Sequence, residues 1–128
     1  MKNAALDVLK KTKLITIATI NSDGSPRATP LLAYFEDGKI FWNSSKNAKH
    51  SENIARDSRV AISMWYEDTE ASVFRAAYIA TRANDTGESY HSDQYNQDLN
   101  KYEAPVGELD ESTSEVDRYY FVHDGDKS

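Results

Sequence analysis

Leu14-Ile15-Thr16-Ile17-Ala18-Thr19-Ile20, followed by Asn21-Ser22-Asp23-Gly24-Ser25, decides the fold of this chain. The first seven residues are apolar or β-branched with no Gly or Pro, the composition that fits a pleated, half-buried strand. Gly24 after Asp23 readily takes positive φ and closes a tight turn. An extended run from Arg27 to Phe35 follows. Pro26 and Pro30 cannot donate to a ladder, so this second strand is interrupted or lies at an edge near Pro30. Asp37-Gly38 marks another turn, and Lys39-Ile40-Phe41-Trp42-Asn43 is a third strand. Three short strands joined by two Asp-Gly turns predict an antiparallel meander.

Working outward, Ala5, Val8 and Leu9 share a face of a short helix over residues 3–11. Beyond the meander the period switches to 3.6, and Ser44 or Ser45 is placed to cap a helix to about Arg56, with Ala48, Ser51, Ile54 and Ala55 inward. Val60 to Trp65 alternates as a fourth strand, Tyr66 to Ser72 reads as an acidic loop, and Val73 to Thr81 is a fifth strand. Tyr95, Leu99 and Tyr102 stand at helical spacing, which predicts a polar surface helix within Asn84–Tyr102. Glu103 to Asp117 holds six acids and no base and reads as a solvated connection. Arg118 to Val122 is a last strand, with His123 in a tail that frays from Asp124 on. The expected fold is mainly β: a six-stranded antiparallel split β-barrel with a few short helices, one domain over residues 1–128.

Composition narrows the chemistry. The chain has 128 residues and no cysteine, which excludes disulfides, thiolate metal sites and dithiol redox chemistry. With no long apolar run, a soluble cytoplasmic protein without a membrane contact is expected. The net charge is −6, divided unevenly: residues 1–65 carry +4 and residues 66–128 carry −10. An acidic chain is a poor nucleic-acid binder, because phosphate contacts dominate that affinity. The basic half could still hold one small anion, although solvated surface charge explains the asymmetry equally well. Three scattered histidines make no zinc site.

The segment Trp42-Asn-Ser-Ser-Lys-Asn-Ala-Lys-His50 bears most on function. It sets two hydroxyls and three cationic or titratable side chains at a helix start, where unpaired N–H groups carry about half a positive charge. Acids are normally favoured there, yet the first acid is Glu52. Backbone amides, Ser44, Ser45 and Lys49 could cradle a phosphate, with Arg27 closing the site from the neighbouring strand. An ordinary serine cap followed by a solvated lysine face is the competing reading.

Leu14–Ile20, Asp23–Pro30, Phe41–Ser45, Lys49–Ile54 and Arg56–Ala61 together resemble the pyridoxamine 5′-phosphate oxidase-like family of FMN-binding split barrels, its small general-stress-protein-type members above all. The resemblance spans about residues 5–80. It implies FMN as cofactor and a homodimer holding two flavins at the subunit interface. By position, Arg27, Ala28, Thr29, Pro30 and Leu31 would line the isoalloxazine edge, and Asn43, Ser44 and Ser45 would meet the ribityl–phosphate part. Lys49 and His50 fall where the family has an Arg-Lys pair for the phosphate, so His50 is a departure. The substrate-binding C-terminal segment of the true pyridoxamine phosphate oxidases is not found, so vitamin B6 oxidation is not implied. An FMN-dependent oxidoreductase acting on a small molecule is the expected function. A flavin sensor or store without turnover, the same fold with a deazaflavin or haem, and a structural dimer holding inorganic phosphate are its rivals.

Overall fold

The computed structural model describes residues 4–70, 72–106 and 120–124. In chain order these are α1 (Ala4–Lys11), β1 (Leu14–Ile20), β2 (Pro26–Leu32), β3 (Tyr34–Glu36), β4 (Lys39–Ser44), α2 (Lys49–Arg56), β5 (Arg59–Asp68), β6 (Val73–Arg82), β7 (Asn84–Ser92), β8 (Gln97–Pro105) and β9 (Tyr120–Asp124). They form two antiparallel sheets, in the orders β2-β1-β5-β6-β9 and β3-β4-β8-β7. The mainly β split barrel is as the sequence predicts, but with nine strands among the described residues in place of six.

The extra strands have identifiable origins. The run Arg27–Phe35 breaks at Ala33, not at Pro30, and divides between the sheets as β2 and β3. Pro30 sits opposite Thr16 in the edge strand β2, where its missing N–H costs no ladder bond. The expected helix within Asn84–Tyr102 is instead the hairpin β7–β8. Its burial explains the misreading: β7 is exposed along nearly its whole length and carries no alternation. Gly87 at φ +88 marks the register shift between Asp85 and Ser89, and Asn96 at φ +50 helps turn the hairpin. Strand β5 also runs on through Tyr66 to Asp68, into the segment read as an acidic loop. The final strand is present as β9, which includes His123. Arg118 and Tyr119 lie outside the described residues, as do residues 107–117 of the acidic connection and residues 125–128 of the tail.

Two buried alanines mark the corners where the chain changes sheets. Ala33, between β2 and β3, is 8% exposed and donates its N–H to Lys13 O at 2.7 Å. Ala83, between β6 and β7, is 2% exposed and donates to Ser58 O at 2.9 Å. A methyl side chain lets the backbone turn against the core while its N–H stays satisfied. Between the sheets, Ile15, Ile17, Ile62, Met64, Ala77 and Ile79 meet Ile40, Trp42, Tyr102 and Ala104. Trp42 stacks on Tyr102, its register partner, at 6.1 Å and 9°, so Trp42 is core. Val8 and Leu9 bring α1 onto the same cluster.

The outer face of the five-stranded sheet contrasts with this. The register aligns Ala28, Ala18, Ala61 and Ala80 in one row and Pro30, Thr16, Ser63 and Tyr78 in the next. Neither row carries a charge. Leu14 and Trp65 on the same face are 60% and 61% exposed, and Leu32 is 72% exposed. Among the described residues, no helix is long and apolar enough to cross a membrane.

Candidate functional site

The candidate site lies where β4 ends and α2 begins. Ser44, inward-facing at the end of β4 and opposite Asn100, is 6% exposed. The next residues do not continue into a helix. Ser45 starts a tight turn, its carbonyl accepting from Ala48 N–H at 3.1 Å and its hydroxyl from Asn47 N–H at 3.1 Å. The N-cap is therefore Ala48, without a side-chain cap, and neither Ser44 nor Ser45 caps the helix. This turn rotates α2 from the expected face. His50, Ser51, Asn53 and Ile54 are buried, while Ala55 is exposed.

The buried polar side chains on α2 fix it to the barrel. Asn53, 1% exposed, donates to Thr19 Oγ1 at 3.0 Å and to Asn21 Oδ1 at 2.9 Å. Arg56 donates to the Ile20 carbonyl and to Asn53 Oδ1. One turn earlier, His50 Nε2 shares a hydrogen bond with Ser44 Oγ at 2.8 Å, both residues buried. Burial, and then the positive charge of Arg27, push the His50 imidazole below its ordinary pKa, so it is neutral near pH 7. Arg27 stands opposite Thr19 in the β1–β2 ladder, on the sheet side that faces α2.

A cleft of about 630 Å³ opens beside this pair, within the 300–1,000 Å³ usual for small-molecule and cofactor sites. Pro30, Leu31 and Leu32 of β2 contribute to its lining, as do Asn43, Ser44 and Ser45 from the end of β4. The turn and α2 add Asn47, Ala48 and His50, and the β7–β8 hairpin adds Tyr90, Tyr95, Gln97 and Leu99. Among the described residues, no Lys, Arg, Asp or Glu lines it, in a chain that is 28% charged.

Of the ten residues singled out from the sequence, six line this cleft: Pro30, Leu31, Asn43, Ser44, Ser45 and His50. Arg27 stands outside the lining but acts on His50. Ala28 points to the outer face of the sheet, opposite Ala18, and Thr29 lies opposite Ile17. Lys49 projects from the exposed side of α2, with Nζ 3.9 Å from Glu52 Oε1. The hairpin residues were missed because the segment read as a surface helix. The available signal was Asp93-Gln94-Tyr95-Asn96, a turn-prone run between two polar segments. His91, outside the cleft, is exposed and bonds Asp98 Oδ1 through Nδ1 at 2.9 Å.

The lining suits a flavin. Pro30, Leu31, Leu32, Leu99 and the two tyrosines offer apolar and aromatic surface to a flat ring. Asn43, Ser45, Asn47 and Gln97 offer neutral donors and acceptors to a hydroxylated chain. The His50–Ser44 pair with Arg27 beyond it makes the end suited to an anion. A split barrel with a flavin-sized cleft at the β4–α2 turn defines a class of cofactor-binding barrels. The chain belongs to the pyridoxamine 5′-phosphate oxidase family, whose family model matches residues 1–121; the match continues well past residue 81, where the motif resemblance fades. A comparison with curated proteins finds no match.

Solved structures share the fold at low identity. A FAD-binding protein from Mesorhizobium loti has a TM-score of 0.66 and 12% identity, covering 82% of this chain and 88% of that one. HutZ, the heme storage protein from Vibrio cholerae, has a TM-score of 0.63 and 16% identity, covering 80% and 87%. An F420 reductase has a TM-score of 0.66 and 11% identity, covering 87% and 99%.

Proposed function

We propose that this protein is an FMN-binding flavoprotein that works as a homodimer and as an FMN-dependent oxidoreductase on a small molecule. The observation that carries the reading is the uncharged cleft that ends at the His50–Ser44 pair beneath Arg27. FMN has the same division: a large neutral ring and ribityl chain, and one phosphate. Arg27 and Lys49 would supply charge to the phosphate and Ser44, Ser45 and His50 its hydrogen bonds. Asn43 meets the ribityl chain, while Ala28, Thr29, Pro30 and Leu31 form the strand along the ring edge. When bound, the isoalloxazine supplies one- or two-electron transfer, and the protein supplies binding, orientation and electrostatics.

The homodimer reading rests on continuity. Pro30 and Leu32 belong both to the cleft and to the outer face of the five-stranded sheet, where two neighbouring rows carry no charge. A second copy packed on that face would border the cleft and shield its ring end from water. Haem is less well served, since among the described residues His50 is the one histidine in the lining and its Nε2 is engaged by Ser44.

The test is reconstitution. Purified protein incubated with FMN and desalted should retain about one flavin per chain, and should bind riboflavin, which lacks the phosphate, at least tenfold more weakly. Oxidation of a reduced nicotinamide by the loaded protein with a quinone or dye as acceptor then separates an enzyme from a flavin store. A chain that retains no flavin, or that takes up haem in preference, refutes the FMN reading.

A further inference from the structure

The apolar surface of the cofactor cleft comes from two sheets. Pro30, Leu31 and Leu32 belong to β2 in the five-stranded sheet, and Tyr90, Tyr95 and Leu99 to the β7–β8 hairpin of the four-stranded sheet. The hairpin is otherwise polar: over residues 84–98, Tyr90 and Tyr95 are the only large apolar or aromatic side chains, and both line the cleft. Tyr90 pairs with Leu99, so these two side chains share one face of the hairpin. The turn that carries Tyr95 is held in place. Tyr95 N–H donates to Ser92 Oγ at 3.3 Å, and His91 bonds Asp98 at 2.9 Å across the strands. The two tyrosines nevertheless remain 51% and 59% exposed, and Leu32 72%. A lone exposed apolar side chain is ordinary, whereas three around one cleft mark surface that a ligand covers. Charge narrows the ligand further. Residues 84–98 carry Asp85, Glu88, Asp93 and Asp98 and no Lys or Arg. Lys101 meets Glu88 at 3.8 Å, which leaves the hairpin still acidic.

We propose that Tyr90 and Tyr95 select the substrate of this protein, and that the substrate is a planar aromatic electron acceptor without negative charge, a quinone. The inference rests on the flavin reading. With Pro30 and Leu31 along the edge of the flavin ring, the hairpin tyrosines are left to receive a second flat ring. Aromatic pairs gain from offset or edge-to-face contact, and a tyrosine hydroxyl can donate to a quinone oxygen. The acidic hairpin raises the cost of bringing an anion to the same rings. In the reaction the quinone takes up two electrons and two protons and leaves as the hydroquinone. A reduced nicotinamide gives up a hydride, which reaches the quinone by way of the cofactor, and water supplies the second proton.

The experiment follows backbone amide shifts of the full chain by NMR, with and without FMN. The probes are 1,4-naphthoquinone and its 2-sulfonate, which differ by one anionic group. Naphthoquinone should move the amides of Tyr90 and Tyr95 in a saturable manner, and should still do so after FMN is loaded. The sulfonate should bind about fivefold more weakly or worse, and the gap should narrow at high salt. Tyr95→Ala should weaken naphthoquinone about three- to tenfold, and Tyr95→Phe by less. Circular dichroism and retained FMN should be unchanged in both variants, because the side chain is mostly exposed. Flavin content is read separately from its absorbance, so the two failures are distinct. A chain that retains no flavin refutes the cofactor reading, and the hairpin's response to naphthoquinone is still measured. Retained flavin with no naphthoquinone response at Tyr90 and Tyr95 overturns the present proposal alone. So does a response that FMN abolishes, equal binding of the sulfonate, or a Tyr95→Ala protein that binds naphthoquinone as wild type does.

Discussion

His50 Nε2 and Ser44 Oγ lie 2.8 Å apart, joining the first turn of α2 to the last residue of β4. The bond closes the chain on itself across six residues, and both residues line the cleft. It also makes the imidazole a reporter of the site. Burial first, and Arg27 second, hold its pKa below the ordinary 6.5. On unfolding, His50 regains that ordinary value, so below about pH 6.5 the unfolded state takes up a proton that the folded state refuses. The stabilising contribution is fully present above that pH and is lost as pH falls through the folded-state pKa. The melting temperature of the cofactor-free protein should therefore fall between about pH 7.5 and pH 5.5, and His50→Gln should fall less over the same interval. Parallel curves for the two proteins would mean that His50 does not titrate differently on unfolding.

Lys49 and Glu52 are both more than half exposed, with 3.9 Å between their charged atoms across one helical turn. Such a pair is worth a few tenths of a kcal/mol, so Lys49 can leave it for a phosphate at little cost. Lys49→Ala should remove a charge-assisted contact of about 1.5–3 kcal/mol, roughly a ten- to hundredfold loss of FMN affinity. Riboflavin should bind both proteins alike, and Lys39→Ala, away at the far end of β4, should change neither ligand. Glu52→Gln should raise FMN affinity a few-fold. Loss of riboflavin and FMN in equal measure would place Lys49 against the ring or ribityl chain instead of the phosphate.

Asn53 supports the same site from behind. Its amide joins α2 to β1 at Thr19 and Asn21, in a position 1% exposed. Asn53→Ala leaves these partners unanswered and should cost about 1–3 kcal/mol. Urea unfolding should show a lower midpoint with an unchanged slope, since the surface exposed on unfolding is the same. A midpoint equal to wild type would show that water satisfies the freed groups.

How far the sequence could be read follows from where each signal comes from. Leu14–Ile20 was predicted to the residue because both its chemistry and its turns are local. The turn at Gly24 needs positive φ, and the chain has it at +87°. The hairpin β7–β8 was misread because β7 is a solvated edge strand without alternation, and charge on an edge is a defence against pairing with other chains, not a sign of helix. Tyr95, Leu99 and Tyr102 then offered a helical spacing with nothing to contradict it. The cap of α2 failed for a similar reason: Ser45 uses its hydroxyl on Asn47 N–H, one turn before the helix starts. Pro30, Leu31, Asn43, Ser44, Ser45 and His50 were legible because they fall in contiguous motifs. Tyr90, Tyr95 and Gln97 reach the cleft only through the tertiary fold.

The row Ala28–Ala18–Ala61–Ala80 crosses four strands on the outer face. Side chains this small leave a flat surface on which a second copy can lie close, with Leu14, Leu32 and Trp65 beside it as larger apolar groups. Sedimentation at micromolar concentration should give twice the 14.5 kDa chain mass. Ala61 is exposed in the single chain, so Ala61→Asp should fold normally. In a dimer packed on this face, the carboxylate would be buried without a partner, at a cost of several kcal/mol. The variant should sediment as a monomer with wild-type circular dichroism. Its FMN affinity should fall as well, because Pro30 and Leu32 at the cleft would lose the subunit that borders them. A wild-type chain that is monomeric at these concentrations removes the dimer. An Ala61→Asp protein that remains dimeric moves the interface to another face.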